Sequence, residues 1–167
     1  VARRLGAPLD AFVVRKLGVP GQPELALGAI ATGGVVVRNE AVIRGRGVTP
    51  EQVAAVVAAE EAELARRERA YRGDRPPAEV AGRLAVVVDD GYATGATARA
   101  AVRAVRARGP ARLLLAVPVA PRDAAVEDAD ELVALARPRP FGAVGRHYVD
   151  FAATTDDEVR ALLGATS

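Results

Sequence analysis

Apolar positions along the chain fall into short runs separated by glycine, proline and charge. Residues 84–88, Leu-Ala-Val-Val-Val, are β-branched and unalternated, the pattern of a central parallel strand covered on both faces. Residues 113–119 and 132–135 read as further strands, and Pro118 suits a strand end or bulge. A strand is also predicted over Leu9–Val14, ending in Arg15-Lys16. Helical spacing appears three times. Residues 49–71 open with a capping box, Thr49 and Gln52, and carry Pro50 at the first helical position. Val53, Val56, Val57 and Leu64 mark its apolar face, and Glu63–Arg67 and Glu68–Arg72 are i,i+4 pairs on a solvated face. Residues 96–108 point Val102 and Val105 inward and stop at Gly109-Pro110. Thr155 and Glu158 cap a last helix ending near Leu163. Strand and helix alternate, which predicts an α/β fold, a doubly wound parallel sheet, as one domain over residues 1–167. Residues 18–34, rich in Gly and Pro, are expected to be a flexible loop, and residues 73–82 a linker inside the domain.

Composition narrows the classes. Half the residues are hydrophobic, enough for a core, and no apolar run approaches a membrane span, so no membrane partner is expected. A net charge of +2 is too small to argue for nucleic acid or an anionic surface. With no Cys there are no disulfides or thiolate metal sites, which fits a cytoplasmic protein.

The chemistry concentrates in residues 84–97. The strand ends at Asp89 and Asp90; Gly91, Tyr92, Ala93, Thr94, Gly95, Ala96 and Thr97 then lead into a helix. In open α/β sheets ligands bind beyond the carboxyl ends of the strands. Glycines let the backbone approach a ligand closely, successive N–H groups form an anion nest, and the helix adds its positive dipole end. The Thr94 and Thr97 hydroxyls suit the same phosphate. Two carboxylates repel a phosphate, so they suit sugar hydroxyls, or Mg²⁺ held mainly through water. A ligand with a phosphate at one end and a ribose diol at the other follows. A receiver-type acid cluster needs a later Lys, and none follows residue 16. Walker A and dinucleotide fingerprints are absent.

Val-Val-Val-Asp-Asp-Gly-Tyr-Ala-Thr-Gly-Ala-Thr resembles the phosphoribosyl pyrophosphate (PRPP) motif of type I phosphoribosyltransferases. The resemblance implies that Asp89 and Asp90 hold the ribose 2′ and 3′ hydroxyls, with indirect Mg²⁺ contact. It implies that Ala93, Thr94, Gly95, Ala96 and Thr97, beside Gly91, wrap the 5′-phosphate. The activity implied is transfer of phosphoribosyl from PRPP to a nitrogen acceptor, a nucleobase-like small molecule, with release of pyrophosphate. A PRPP- or nucleotide-sensing regulator would keep the same site without the chemistry. The resemblance is compatible with a homodimer.

Two further segments gain meaning beside it. Lys16 is the only Lys among 23 basic residues. It reads as a compact charge kept for phosphate or as a solvated strand end. The resemblance implies that Arg15 and Lys16 contact pyrophosphate, with Lys16 counted in the catalytic machinery alongside the acid pair. Residues 137–151 hold three of the six aromatics. They read as a loop packing its rings on the sheet, or as a hood in which Phe141 or Tyr148 stacks on a planar acceptor. His147 is given no catalytic role. No Met occurs, and residues 1–6 read as a helix tail with Gly6 at its end. In the family an earlier strand and a pyrophosphate loop precede such a tail, so this first strand is expected to be missing. Val13 and Val87 are then expected not to pair.

Overall fold

The computed structural model describes residues 1–73, 75–93 and 95–164. Its contacts divide the chain into two compact units, Val1–Glu79 with the residues from Ala153 onward, and Val80–Ala152.

The first unit begins with α1, Ala2–Leu5, which closes on Gly6 in the left-handed conformation, as expected of a helix tail. Three antiparallel strands follow: β1 (Val14–Val19), β2 (Gln22–Ala31) and β3 (Val35–Arg38), in that spatial order. This corrects two expectations. The first strand begins where Leu9–Val14 was expected to end. Residues 18–34 are not an irregular loop but mostly the second half of a hairpin. Val19 pairs with Gln22 across Pro20-Gly21. Pro followed by a glycine at φ +76° is the residue pair a tight two-residue turn requires. Beyond the turn, Leu27 and Ile30 are fully buried, so the glycines and prolines punctuate a strand rather than abolish it.

α2 (Glu40–Arg46) was not foreseen; Asn39 caps it, accepting the Val42 N–H. α3 (Pro50–Arg72) matches the expected helix, and its capping box is formed in both directions. Val13, Leu17, Val19, Leu27, Ile30, Val48, Val53 and Leu64 make one buried cluster between the sheet and these helices. The expected Glu63–Arg67 pair is present at 2.9 Å. The expected Glu68–Arg72 pair is not. Arg72 turns instead to Asp10, donating from Nε and Nη2 at 3.0 and 3.1 Å. Asp10 also accepts the Ala78 N–H at 3.0 Å and the Ala11 N–H at 2.9 Å. One carboxylate thus ties the approach to β1, the end of α3 and the segment after it. A doubly bonded, largely desolvated guanidinium outcompetes an exposed i,i+4 pair.

The second unit is a parallel sheet, as expected. β4 (Leu84–Val88), α4 (Ala96–Arg106), β5 (Arg112–Val119) and β6 (Glu131–Ala136) follow in sequence, with sheet order β4-β5-β6. The strand expected to be central is an edge strand among the described residues. β5 takes the middle, and Leu113, Leu115, Val117 and Val119 alternate inward along it. β4 therefore alternates too: Ala85 is buried, while Leu84, Val86 and Val88 stay exposed, because α4 covers one face only. Val102 and Val105 do point inward, with Ala98 and Ala101. Val87 pairs with Leu115 and Val13 is bonded to Thr32; among the described residues no pairing of Val13 with Val87 occurs. A 3₁₀ turn, Val144–His147, follows β6, and α5 (Asp156–Gly164) returns to the first unit, where Asp156 accepts the Tyr71 hydroxyl at 2.6 Å.

Burial raises the proton affinity of Asp10, but the Arg72 guanidinium and the Ala78 N–H outweigh it and hold its carboxyl below the ordinary 3.8. A carboxylate with a depressed folded-state pKa stabilises the fold above its unfolded pKa and loses that contribution as pH falls through the folded value. Asp10→Asn should cost about 2–3 kcal/mol in denaturant unfolding at pH 7, with the gap to the native chain closing below about pH 4. An equal gap at pH 7 and pH 3 would show that charge is not what Asp10 contributes.

Candidate functional site

The strand-to-helix crossing of the second unit is built from contacts that the loop residues dictate. The Asp89 N–H donates to the Ala116 carbonyl at 3.2 Å and the Tyr92 N–H to the Val119 carbonyl at 2.9 Å, so the loop is stitched along β5 after β4 ends. Tyr92 is buried, and its hydroxyl donates to the Ala125 carbonyl at 3.0 Å. Its ring lies under Gly95. A Cβ on Gly95 would meet the Tyr92 ring and hydroxyl at 2.3 Å, and Gly95 sits at φ +74°. Both facts require glycine there. Gly95 provides no side-chain cap to α4, so among the described residues the first-turn N–H groups have no capping side chain.

The start of α4 borders a cavity of about 260 Å³ lined by Asp89, Asp90, Gly91, Ala93, Gly95 and Thr97. Ala98 and Val144 complete its wall. The structure therefore gathers the acid pair and the helix start around one space. Thr94 lies outside the described residues, as does the side chain of Ala96. Asp89 is half-buried and accepts the Asp90 N–H at 3.0 Å. Burial pushes its carboxyl above the ordinary range; the Asp90 N–H offsets part of this and the Asp90 charge adds to it. No basic residue lines the cavity among the described residues. An anion there would meet main-chain N–H groups and the helix dipole, with the carboxylates also on the wall.

The segment expected to form a hood packs beside this site. Tyr148 donates its hydroxyl to the Asp90 carbonyl at 2.6 Å and stacks at 5.2 Å on Phe151. Burial, then the charges of Asp90 and Asp89, push the Tyr148 phenol above its ordinary value. Val144 fills the space over Gly91, where a Cβ would come within 2.6 Å of it. Phe141 lies elsewhere, on a second cavity of about 400 Å³ shared with Pro121, Arg122, Asp123, Pro138 and Arg139. His147 backs the Phe141 ring at 5.3 Å and lies 2.9 Å from its carbonyl. Arg15 and Lys16 are in the first unit. Arg15 pairs with Glu60 at 2.8 Å, and the Lys16 ammonium lies 3.7 Å from Glu24.

Sequence reasoning passed over Tyr92, which stands at a position it treats as variable. An aromatic inside a run of small residues was the available signal. It also passed over Arg122 and Arg139, which carry no motif.

The acid pair and the glycine-led start of α4 lie at the carboxyl edge of a parallel sheet, the place where open α/β sheets bind ligands. The model of the phosphoribosyl transferase domain matches residues 1–138, and the chain belongs to this family. Phe141 and Tyr148 fall beyond the matched region. Two relatives, from two strains of Mycobacterium tuberculosis and named "Putative phosphoribosyl transferase", are each 50% identical over 166 residues. The match covers 98% of this chain but 38% of theirs, so the chain spans about two fifths of the length of these curated relatives. The crystal structure of TT1426 from Thermus thermophilus shares 44% identity, with a TM-score of 0.77 over 97% of this chain and 78% of that one.

Two outcomes are expected at the loop. Gly95→Ala should cost about 2–4 kcal/mol from positive φ and the Tyr92 clash together. In a Tyr92→Ala background the same change should cost markedly less, and equal costs in the two backgrounds would break the contact. Asp89→Asn should raise the unfolding midpoint at pH 7. A carboxylate whose folded pKa is raised destabilises the fold at pH values above it, and the penalty vanishes below the ordinary aspartate range. The gain should therefore be absent at pH 3.

Proposed function

We propose that the chain binds PRPP and transfers its phosphoribosyl group to a nitrogen acceptor, releasing pyrophosphate. One observation carries this: two carboxylates and an uncapped helix N-terminus line the same cavity of about 260 Å³. Phosphate is assigned to the first-turn N–H groups and the Thr97 hydroxyl, and Thr94 is assigned to it by family pattern. The ribose 2′ and 3′ hydroxyls are assigned to Asp89 and Asp90. The family membership of the chain supports both assignments.

In this reaction the acceptor nitrogen bonds to C1′ as the C1′–O bond to pyrophosphate breaks, through an oxocarbenium-like transition state. The residues contribute position and field, with no protein nucleophile. Asp89 and Asp90 accept from the diol and fix the ring. Their ionised pair also sits where positive charge grows on the sugar. Tyr148 holds the Asp90 main chain and thereby orients the pair. The carboxylates of Asp89 and Asp90, on one cavity wall, suit a hard cation that keeps most of its water. Bound there, Mg²⁺ would neutralise charge on the pyrophosphate. Pyrophosphate itself is assigned to Arg15 and Lys16, whose present partners are exchangeable carboxylates. None of the described helices is long and apolar enough to cross a membrane.

The test is calorimetric titration with PRPP, with Mg²⁺ present, followed by pyrophosphate release with a panel of nitrogen bases. Asp89→Asn with Asp90→Asn should abolish PRPP binding while leaving the chain folded. Thr97→Ala should cost about 1 kcal/mol, or up to ~3 against a charged phosphate. Unchanged PRPP affinity in the double variant would end the ribose assignment. PRPP binding without turnover by any base would leave a sensor in place of a transferase. Lys16→Ala should weaken PRPP by about tenfold and leave a nucleoside 5′-monophosphate unaffected; equal losses would remove Lys16 from pyrophosphate.

A further inference from the structure

The wall of the acid-pair cavity has one member unlike the rest. Two carboxylates, two glycines, two alanines and Thr97 line it, and beside them stands Val144. Among the described residues it is the one branched aliphatic side chain on that wall. Val144 also comes from outside the strand-to-helix loop. It belongs to the 3₁₀ turn after β6, beyond the stretch that the family model matches.

The contacts around this turn hold Val144 in place. Its two methyl groups lie over Gly91, 2.6 and 2.7 Å from where a Cβ would stand, and Val119 comes within 3.2 Å of the same point. Gly91 is not among the glycines at positive φ, so space rather than backbone conformation keeps residue 91 bare. Further along, the Tyr148 hydroxyl donates to the Asp90 carbonyl at 2.6 Å. The Tyr148 N–H returns to the Gly145 carbonyl at 3.3 Å, and the Phe151 ring packs on both Tyr148 and Gly145. The turn that carries Val144 is thus tied to the acid loop at Gly91 and at Asp90, and is folded upon itself between them.

We infer that Val144 is the water-excluding wall of this cavity, latched by Tyr148, and that it decides whether the phosphoribosyl group passes to an acceptor or to water. The inference rests on the transfer proposed above and adds to it what suppresses the competing hydrolysis. In transfer, the acceptor nitrogen bonds to C1′ as the C1′–O bond to pyrophosphate breaks. In hydrolysis, a water oxygen bonds to C1′ as the same bond breaks, and the water gives up a proton to the medium. The products are then ribose 5-phosphate and pyrophosphate. An oxocarbenium-like carbon takes whichever nucleophile stands beside it, and water outnumbers any acceptor. A water held in a cavity needs polar partners, and Asp89 and Asp90 supply some. The methyl groups of Val144 supply none, and they occupy space beside the carboxylates where water would otherwise stand.

The test follows PRPP breakdown without acceptor, with Mg²⁺ present, by the phosphorus NMR signal of ribose 5-phosphate, less the rate without protein. Val144→Ala should raise this rate roughly tenfold over the native chain, while PRPP affinity by calorimetric titration stays within about twofold. Val144→Thr keeps the shape and brings in a hydroxyl that holds water, so it should raise the rate as well. Val144→Ile keeps an apolar wall and should leave the native rate. Tyr148→Phe keeps the ring, loses the latch, and should move the rate in the same direction as Val144→Ala. Unchanged hydrolysis in Val144→Ala and Val144→Thr, with PRPP bound, would overturn the inference and leave the PRPP site standing. A loss of PRPP affinity in step with any change in hydrolysis would also overturn it, since Val144 would then be a contact for the ligand. Absence of PRPP binding by the native chain would instead remove the transfer reading, and this inference with it.

Discussion

The contact between the Tyr92 ring and the bare α-carbon of Gly95 is what the acid-pair site depends on. Any side chain at residue 95 would strike that ring, so α4 starts from a glycine and has no capping side chain. Tyr92 in turn is held from both ends, by its N–H on β5 and its hydroxyl on the Ala125 carbonyl. A buried aromatic anchored at two points thus sets the height at which the helix begins. The first turn of α4 then begins beside the cavity with no side-chain cap at Gly95. The same stitching leaves Asp89 half-buried at the strand end, where burial disfavours its charge. Each element of the site is somewhat costly for folding alone, which is how binding sites commonly differ from the scaffold around them.

The first unit works differently. Its strength lies in an apolar cluster and in one many-bonded carboxylate, Asp10, which takes Arg72 from its expected partner Glu68. On α3, Glu63 pairs with Arg66 and Arg67 along the helix, while Glu60 and Arg72 reach across the unit to Arg15 and Asp10. That contrast follows from desolvation: a half-exposed pair gains little, whereas a guanidinium with little water must be fully matched.

Much of this was legible in the chain. The capping box at Thr49 and Gln52, the inward Val102 and Val105 and the parallel strands around 84–88 and 113–119 appear as read, because each rests on local spacing. The acid pair and Gly95 also fall together as the motif implies. The hairpin over 14–31 was hidden, because its glycines and prolines look like a loop unless the pairing partner is known. The edge position of β4 was hidden for the same reason. Three consecutive valines are consistent with burial on both faces, and only the presence or absence of a neighbouring strand decides between them. Arg122 and Arg139 were invisible since nothing local sets them apart from the other arginines. Arg72 was assigned to the nearest acid, which is where spacing points and where tertiary structure overrules it.

The donors that α4 presents to the cavity belong to the main chain. Side-chain replacement at residues 96–98, proline apart, therefore leaves them in place, and a scan that trims each residue to alanine would pass over them without a signal. A proline, which lacks the N–H, or a change in the path of the backbone is what removes them. The chain has concentrated that vulnerability in Gly95 and in the tyrosine beneath it, so genetic drift could rewrite other side chains at the start of α4 while the main-chain donors stay in place.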